Sequence, residues 1–219
     1  MQNIKEISIV LPRNKTGAER QRFVDEYIMD MAMEQGREAG NKYSEVPIGA
    51  IVAKQSNCDI NNDEILAIDV QILSEGQNQI ETTQDASAHA EIQALRRAGT
   101  TVNNWRLLNA TLYSTLEPCP MCLSACQAFR VSRIVYGAQD LRLGAVETYM
   151  NLLEYDHPFH NNIEVVGGVR GEEAKELLVS FFRERRKKGK RSISDENAEQ
   201  NKDLGTVSRL WKRLRSPKQ

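Results

Sequence analysis

Long apolar runs are missing from this 219-residue chain. No stretch approaches the roughly 18 consecutive apolar residues that a membrane span needs, so no membrane partner is expected. The first twenty residues, Met1 to Arg20, contain no continuous apolar segment and scatter isolated Ile and Val among charges, which argues against a secretory signal. Glu6 and Glu19 in the same stretch argue against a transit peptide. A cytoplasmic location is the simplest expectation, with an organelle such as a plastid open if a transit peptide has been removed. Proline and glycine, 6 and 13 residues, are spread rather than clustered, and there is no internal repeat. Cysteine is scarce as well. Three of the four cysteines, Cys119, Cys122 and Cys126, fall within eight residues, and Cys58 stands apart. A disulfide framework would distribute its cysteines, so this pattern suits a reducing compartment and a metal or redox site.

What is present is ordinary for a soluble domain: 40% hydrophobic and 27% charged residues, on a chain long enough for one well-buried domain and a tail. The net charge of −1 hides an asymmetry. From Arg183 to Gln219 there are 13 Lys and Arg against 5 Asp and Glu, and before it 16 against 25. A basic arm on a mildly acidic body favours a polyanion such as nucleic acid, although a solvated tail has the same composition.

Residues 1–16 read as irregular. The spacing of Phe23, Tyr27, Ile28 and Met31 predicts one face of a helix from about Thr16 to Ala39, started by Thr16 or Asn14 and stopped by Gly40. Pro47 to Ala53 reads as a buried strand, residues 56–64 as a turn, and Ile65 to Leu73 as the second arm of a hairpin. Ser74 to Asp85 reads as a loop. Helices are expected over Ser87 to Ala98, ended by Gly99, over Cys119 to Phe129 with Pro120 in the first turn, and from Glu172 to about Lys188. Strands are expected over Ala110 to Thr115, Arg133 to Gly137 and Ile163 to Val166, with 137–151 a loop. Alternating helices and strands predict a three-layer α/β/α fold with about five strands in a mixed sheet. The expected organisation is an irregular segment 1–16, a single domain over 17–188 and a basic, disordered tail over 189–219.

Two motifs carry chemistry. His89-Ala90-Glu91 opens one expected helix and Pro118-Cys119-Pro120-Met121-Cys122 opens another. A lone histidine is more often structural, and a lone C-x-x-C fits a redox pair as well as a zinc half-site. Together, one imidazole and two thiolates make the three-ligand set of a catalytic zinc site, which keeps one position for water. Helix N-termini also favour thiolates through their free N–H groups and dipole. The H-x-E…P-C-x-x-C pattern is the signature of zinc base deaminases. It makes His89, Cys119 and Cys122 the candidate ligands of Zn2+. Glu91, two residues from a ligand, becomes the candidate proton carrier.

Over roughly Phe23 to Lys187 the chain resembles the bacterial-type tRNA-specific adenosine deaminases. The matching segments are Glu45-Val46-Pro47-Ile48-Gly49-Ala50, His89 to Arg97, Leu112-Tyr113 and Leu116 to Cys119. They continue through Arg133 to Asp140 (RIVYGAQD), Gly144-Ala145 and Phe181 to Arg186 (FFRERR). The zinc motif belongs to the whole cytidine-deaminase-like superfamily; EVPIGA, GAQD and FFRERR narrow the match. The resemblance implies a cytidine-deaminase-like fold, one Zn2+ per subunit, and conversion of adenosine to inosine at the wobble position of a tRNA anticodon stem-loop. It also implies a homodimer. It makes Asn78 a contact to the flipped nucleoside, Pro47 and Leu116 walls of the base pocket, and Asp140 a neighbour of the adjacent ribose. Phe182 becomes part of the helix that shapes the RNA groove. Three features depart from the family: a longer hairpin from Lys54 to Gln77, Glu147-Thr148-Tyr149 where Gly-Ser is common, and His157 and His160, which read as surface loop histidines. Residues 190–219 exceed the typical chain. Two other readings stay open: a deaminase of free bases or nucleotides of guanine or cytidine type, and a non-catalytic zinc-stabilised RNA-binding subunit, against which the intact Glu91 speaks.

Overall fold

The structure, a computed structural model, describes residues 4–56, 60, 62, 65–158, 160 and 162–187. The turn expected over 56–64 lies largely outside the described residues, as do Cys58 and the tail 189–219. By internal contacts the chain divides into Met1–Leu178 and Val179–Gln219.

The first unit is built on a mixed six-stranded sheet in the order β1-β3-β2-β4-β5-β6. The strands are β1 (Lys5–Val10), β2 (Gly49–Gln55), β3 (Ala67–Gln77), β4 (Thr111–Leu116), β5 (Arg133–Ala138) and β6 (Glu164–Val166). β1, β2, β3 and β4 pair antiparallel; β4, β5 and β6 pair parallel. β2 reads as a continuous apolar run because both its faces are covered. Ile51 and Ala53 meet Val24, Ile28, Met29 and Ala32 of helix α1 (Gly17–Tyr43). Ala50 and Val52 meet helices α3 (Ala90–Thr101) and α4 (Pro120–Phe129) through Ala94, Leu95 and Leu123. Gly49 lets α1 approach the centre of the sheet, since a Cβ there would strike the carbonyl of Ala32. The expected three layers are present, with six strands in place of about five.

The additional strand is β1, in the segment expected to be irregular. Only Ile7 and Ile9 of this strand turn toward the core, and Val10 is left 72% exposed. Two inward residues make too short an alternation to read, and pairing with β3 from Lys5↔Ile72 to Val10↔Ala67 creates the strand. β3 likewise runs past its expected end through Ser74, Glu75, Gly76 and Gln77. These residues pair with β2, and Ser74 Oγ donates to the Ala94 carbonyl at 2.7 Å. A short helix, α2 (Ile80–Thr83), follows within the expected loop.

α1 starts at Thr16, whose side chain accepts from the Glu19 N–H while Glu19 accepts from the Thr16 N–H, a reciprocal cap. It does not stop at Gly40. It runs to Tyr43 and ends on Ser44 in the left-handed conformation, after which the Glu45 N–H donates back to the Ala39 carbonyl at 3.1 Å. Its buried face matches the expected one only at Ile28, which is buried, and Met31, which packs half-buried against the same cluster. Val24, Ile28, Met29, Ala32, Met33 and Gly36 face inward, whereas Phe23 and Tyr27 are 41% and 47% exposed. The reason is a buried charge on the inner face. Asp25 accepts two hydrogen bonds from the Arg133 guanidinium, at 2.7 and 2.8 Å, a third from the Tyr113 hydroxyl at 3.0 Å and a fourth from Gln21 Nε2 at 3.2 Å. α3 passes through Gly99 to Thr101, and a further helix, α5, covers residues 171–187. No described helix is long and apolar enough to cross a membrane.

Arg133→Met leaves the Asp25 carboxylate buried with only the Tyr113 hydroxyl and the Gln21 amide beside it. It is expected to cost about 3–5 kcal/mol in equilibrium urea unfolding; a loss below about 1 kcal/mol would mean that these two neutral donors satisfy Asp25 without the guanidinium.

Candidate active site

Two helices on the same face of the sheet begin on the residues that carry the chemistry. His89 is the N-cap of α3 and Cys119 the N-cap of α4, both with extended backbone. An N-cap side chain usually accepts from the first turn; neither does so here, and they point at each other instead. His89 Nδ1 lies 3.6 Å from Cys119 Sγ and 3.5 Å from Cys122 Sγ. The three donor atoms all fall within 4.8 Å of one another. Bond lengths of about 2.3 Å to sulfur and 2.0–2.1 Å to nitrogen around a tetrahedral zinc place neighbouring N and S donors roughly 3.5 Å apart. The donor set therefore fits a zinc ion without rearrangement.

The electrostatics point the same way. The hydrogen bond from Cys122 draws the Cys119 thiol down to about 4, against the opposing pull of burial. The same contact and burial push Cys122 up. The Cys119 sulfur raises the His89 imidazole. Glu91, in the first turn of α3, is only 4% exposed, and burial pushes it up to about 7, with His89 opposing. A carboxyl poised near neutrality beside three candidate metal donors is suited to carry a proton in either direction. Cys126, one turn beyond Cys122, is a core residue packed with Leu123, Val131 and Ile134.

The rim is organised by two buried carboxylates to which sequence reasoning assigned no role. Glu45 is fully buried; it accepts from Asn78 Nδ2 at 3.1 Å and from Thr82 N and Oγ1 at 2.7 and 2.8 Å. Asn78 donates its backbone N–H to Ile48, and Gln79 donates to Ala88, which ties the end of β3 to the start of α3. Gly76 permits this approach, since a Cβ there would collide with the Ala90 carbonyl and the backbone of Ala94. Glu117, just before the cysteine motif, accepts from the backbone of Asp140, Val146, Glu147 and Thr148 and from the Thr148 hydroxyl. Burial would raise its pKa, but these donors together hold it below the usual carboxylate value. Both residues sit in segments singled out above, EVPIGA and L-E-P-C, yet an isolated Glu in a sequence reads as surface.

Pro47 is buried, with its carbonyl against Gly36 of α1. Leu116 is half-buried against Met33, Ala138 and Ala174. Asp140 accepts from the Arg142 N–H at 3.0 Å and so caps its own turn. Phe182 lies in the second unit, its ring edge-on to Phe181 at 5.4 Å. The two histidines expected on a surface loop are both partly buried, and the His160 ring sits 2.6 Å from the Val131 carbonyl, so it anchors the loop to the end of α4.

Glu117→Gln leaves one acceptor oxygen and sets an NH2 against backbone donors. It is expected to destabilise the chain by roughly 2 kcal/mol and to raise hydrogen exchange selectively at the amides of Val146, Glu147 and Thr148. Unchanged exchange there would remove Glu117 as the anchor of that loop.

A family model described as MafB19-like deaminase matches residues 23–186. The tRNA-specific adenosine deaminase of Bacillus subtilis (strain 168) is 42% identical over 166 residues, which cover 76% of this chain and 93% of that protein. A solved structure from a study of A-to-I editing by tRNA:A34 deaminases superposes with a TM-score of 0.59 at 33% identity, covering 69% of this chain and 99% of the other. A guanine deaminase from Nitrosomonas europaea, with a TM-score of 0.53, 23% identity and coverage of 71% and 83%, shares the fold.

Proposed function

The chain belongs to the tRNA-specific adenosine deaminase family, and from that premise we propose that it hydrolyses adenosine to inosine at the wobble position of a tRNA anticodon. The observation that carries the proposal is the convergence of His89, Cys119 and Cys122 at zinc-ligand spacing beside the buried Glu91. These three residues would hold one Zn2+ per subunit. A zinc ion there supplies Lewis-acid activation of water at neutral pH.

Every proton movement falls to Glu91. It takes a proton from the attacking water as the oxygen adds to C6 of the purine, and delivers it to ring nitrogen N1. The second proton goes to the exocyclic amine, which leaves as ammonia, so water enters and ammonia departs. A pKa near 7 suits both the accepting and the donating step. A base in a structured loop reaches such a site only when splayed out of its stack. Asn78 contacts the flipped nucleoside, Pro47 and Leu116 wall the base, and Asp140 meets the adjacent ribose. Phe182 and its neighbouring arginines line the RNA groove of a homodimer. The deaminase domain spans 17–188, and the basic segment beyond it adds phosphate contacts that weaken with salt.

Purified protein is expected to generate inosine in total tRNA and in an anticodon stem-loop with a wobble adenosine, and to leave free adenosine, cytidine and guanine untouched. Preference for a free base would replace the proposal with a nucleobase deaminase, and inactivity with bound zinc would favour the non-catalytic subunit. Glu91→Gln should retain one zinc per chain while turnover falls by at least about 10²-fold. Cys122→Ala should lose the zinc and, with it, thermal stability. Full activity of Glu91→Gln with zinc retained would take Glu91 out of the mechanism.

A further inference from the structure

An asparagine side chain offers two chemically opposite ends of nearly the same shape, and which end faces a ligand decides what that ligand must bring. At Asn78 the choice is made by a neighbour. Glu45, with no exposure, can only accept while ionised, and it takes its hydrogen bond from Asn78 Nδ2 at 3.1 Å. Its other oxygen is held by Thr82 N and Oγ1, so the carboxylate cannot swing away. The backbone of Asn78 is held by Ile48, and that of Gln79 by Ala88, next to His89. The Asn78 amide oxygen accepts no hydrogen bond among the described residues.

We infer that Glu45 is a positioning residue that locks the Asn78 amide with its oxygen toward the nucleoside, so that the pocket demands a hydrogen-bond donor, a hydroxyl or N–H, at that point. The inference rests on the reading of the site as a nucleoside deaminase, with Asn78 as a substrate contact. Glu45 touches no reacting atom and acts only through Asn78. The same carboxylate ties three separate segments together: the end of α1, the end of β3 and the start of α2. Recognition is thereby coupled to the packing of the EVPIGA segment.

The exchange of donor and acceptor between the two side chains provides the test. In Glu45→Gln the new amide oxygen still serves Thr82, but its NH2 now meets the Asn78 NH2. Asn78 turns over and presents donors to the substrate. In Asn78→Asp two carboxylates face each other. In Glu45→Gln/Asn78→Asp the glutamine donates to the aspartate, whose second oxygen again offers an acceptor to the pocket. Expected for kcat/KM on the wobble-adenosine stem-loop is a fall of about 10- to 100-fold in each single variant, the usual consequence of a mispaired buried polar group. Recovery to within about tenfold of wild type is expected in the double variant, with zinc content held at one per chain throughout. Wild-type activity in Glu45→Gln would overturn the inference. So would a double variant no better than the singles, or loss of a cooperative melt in Glu45→Gln, which would make Glu45 a folding residue only. Failure of the parent reading is separate: it appears as an inactive wild-type protein on the same stem-loop.

Discussion

Everything at this site depends on two helices starting side by side. An α-helix begins with unpaired N–H groups and a partial positive charge, and placing two such beginnings next to each other creates a small region that favours thiolate and carboxylate. His89 and Cys119 occupy the two N-cap positions and Cys122 the first turn of α4, so the three donor atoms meet on the seam between the helix starts. What holds the seam closed is the sheet. Ala90, Ala94 and Leu95 of α3 and Leu123 and Cys126 of α4 rest on the same face, through Ala50, Val52, Leu112 and Ile134. The small residues there bring the helices close enough for Nδ1 and Sγ to meet at 3.5–3.6 Å.

Three glutamates show how one side chain serves three purposes through its surroundings alone. Glu91 is buried among the metal-binding groups with few donors, so desolvation dominates and the carboxyl is poised near 7. Glu117 is as buried by exposure, but four backbone N–H groups and a hydroxyl surround it, and it stays a carboxylate that shapes the 140–148 loop. Glu45 has three donors from two segments and works as a clamp between them. In the proposed reaction the chemistry belongs to the first, and the precision of its setting to the other two.

The fold was legible wherever a pattern was local and long. The α3 and α4 helices, the central strands and the three-layer arrangement follow from periodicity and from Pro120 at a helix start. β1 and the last third of β3 were not legible, because their residues become strand only by pairing with a neighbour distant in the chain. Gly40 and Gly99 read as helix stops, yet each lies inside a helix whose packing outweighs the cost of a glycine. The inward face of α1 was misread because an aspartate, which normally marks the outside, is drawn in by Arg133 and Tyr113. In the site, His89, Glu91, Cys119 and Cys122 were legible from spacing, whereas Glu45 and Glu117 had no signal that separates a buried acid from an exposed one.

The sequence by itself determined the residue types and spacings: an imidazole, a pair of sulfurs one helical turn apart, and a carboxylate two residues from the imidazole, each near a helix start. Those are local facts, governed by the period of the helix. Only the tertiary structure decided that the two starts face each other, that the carboxylate beside them is dry, and which end of the Asn78 amide is free. These depend on desolvation and on hydrogen bonds between segments tens of residues apart, and no local pattern in a chain specifies either.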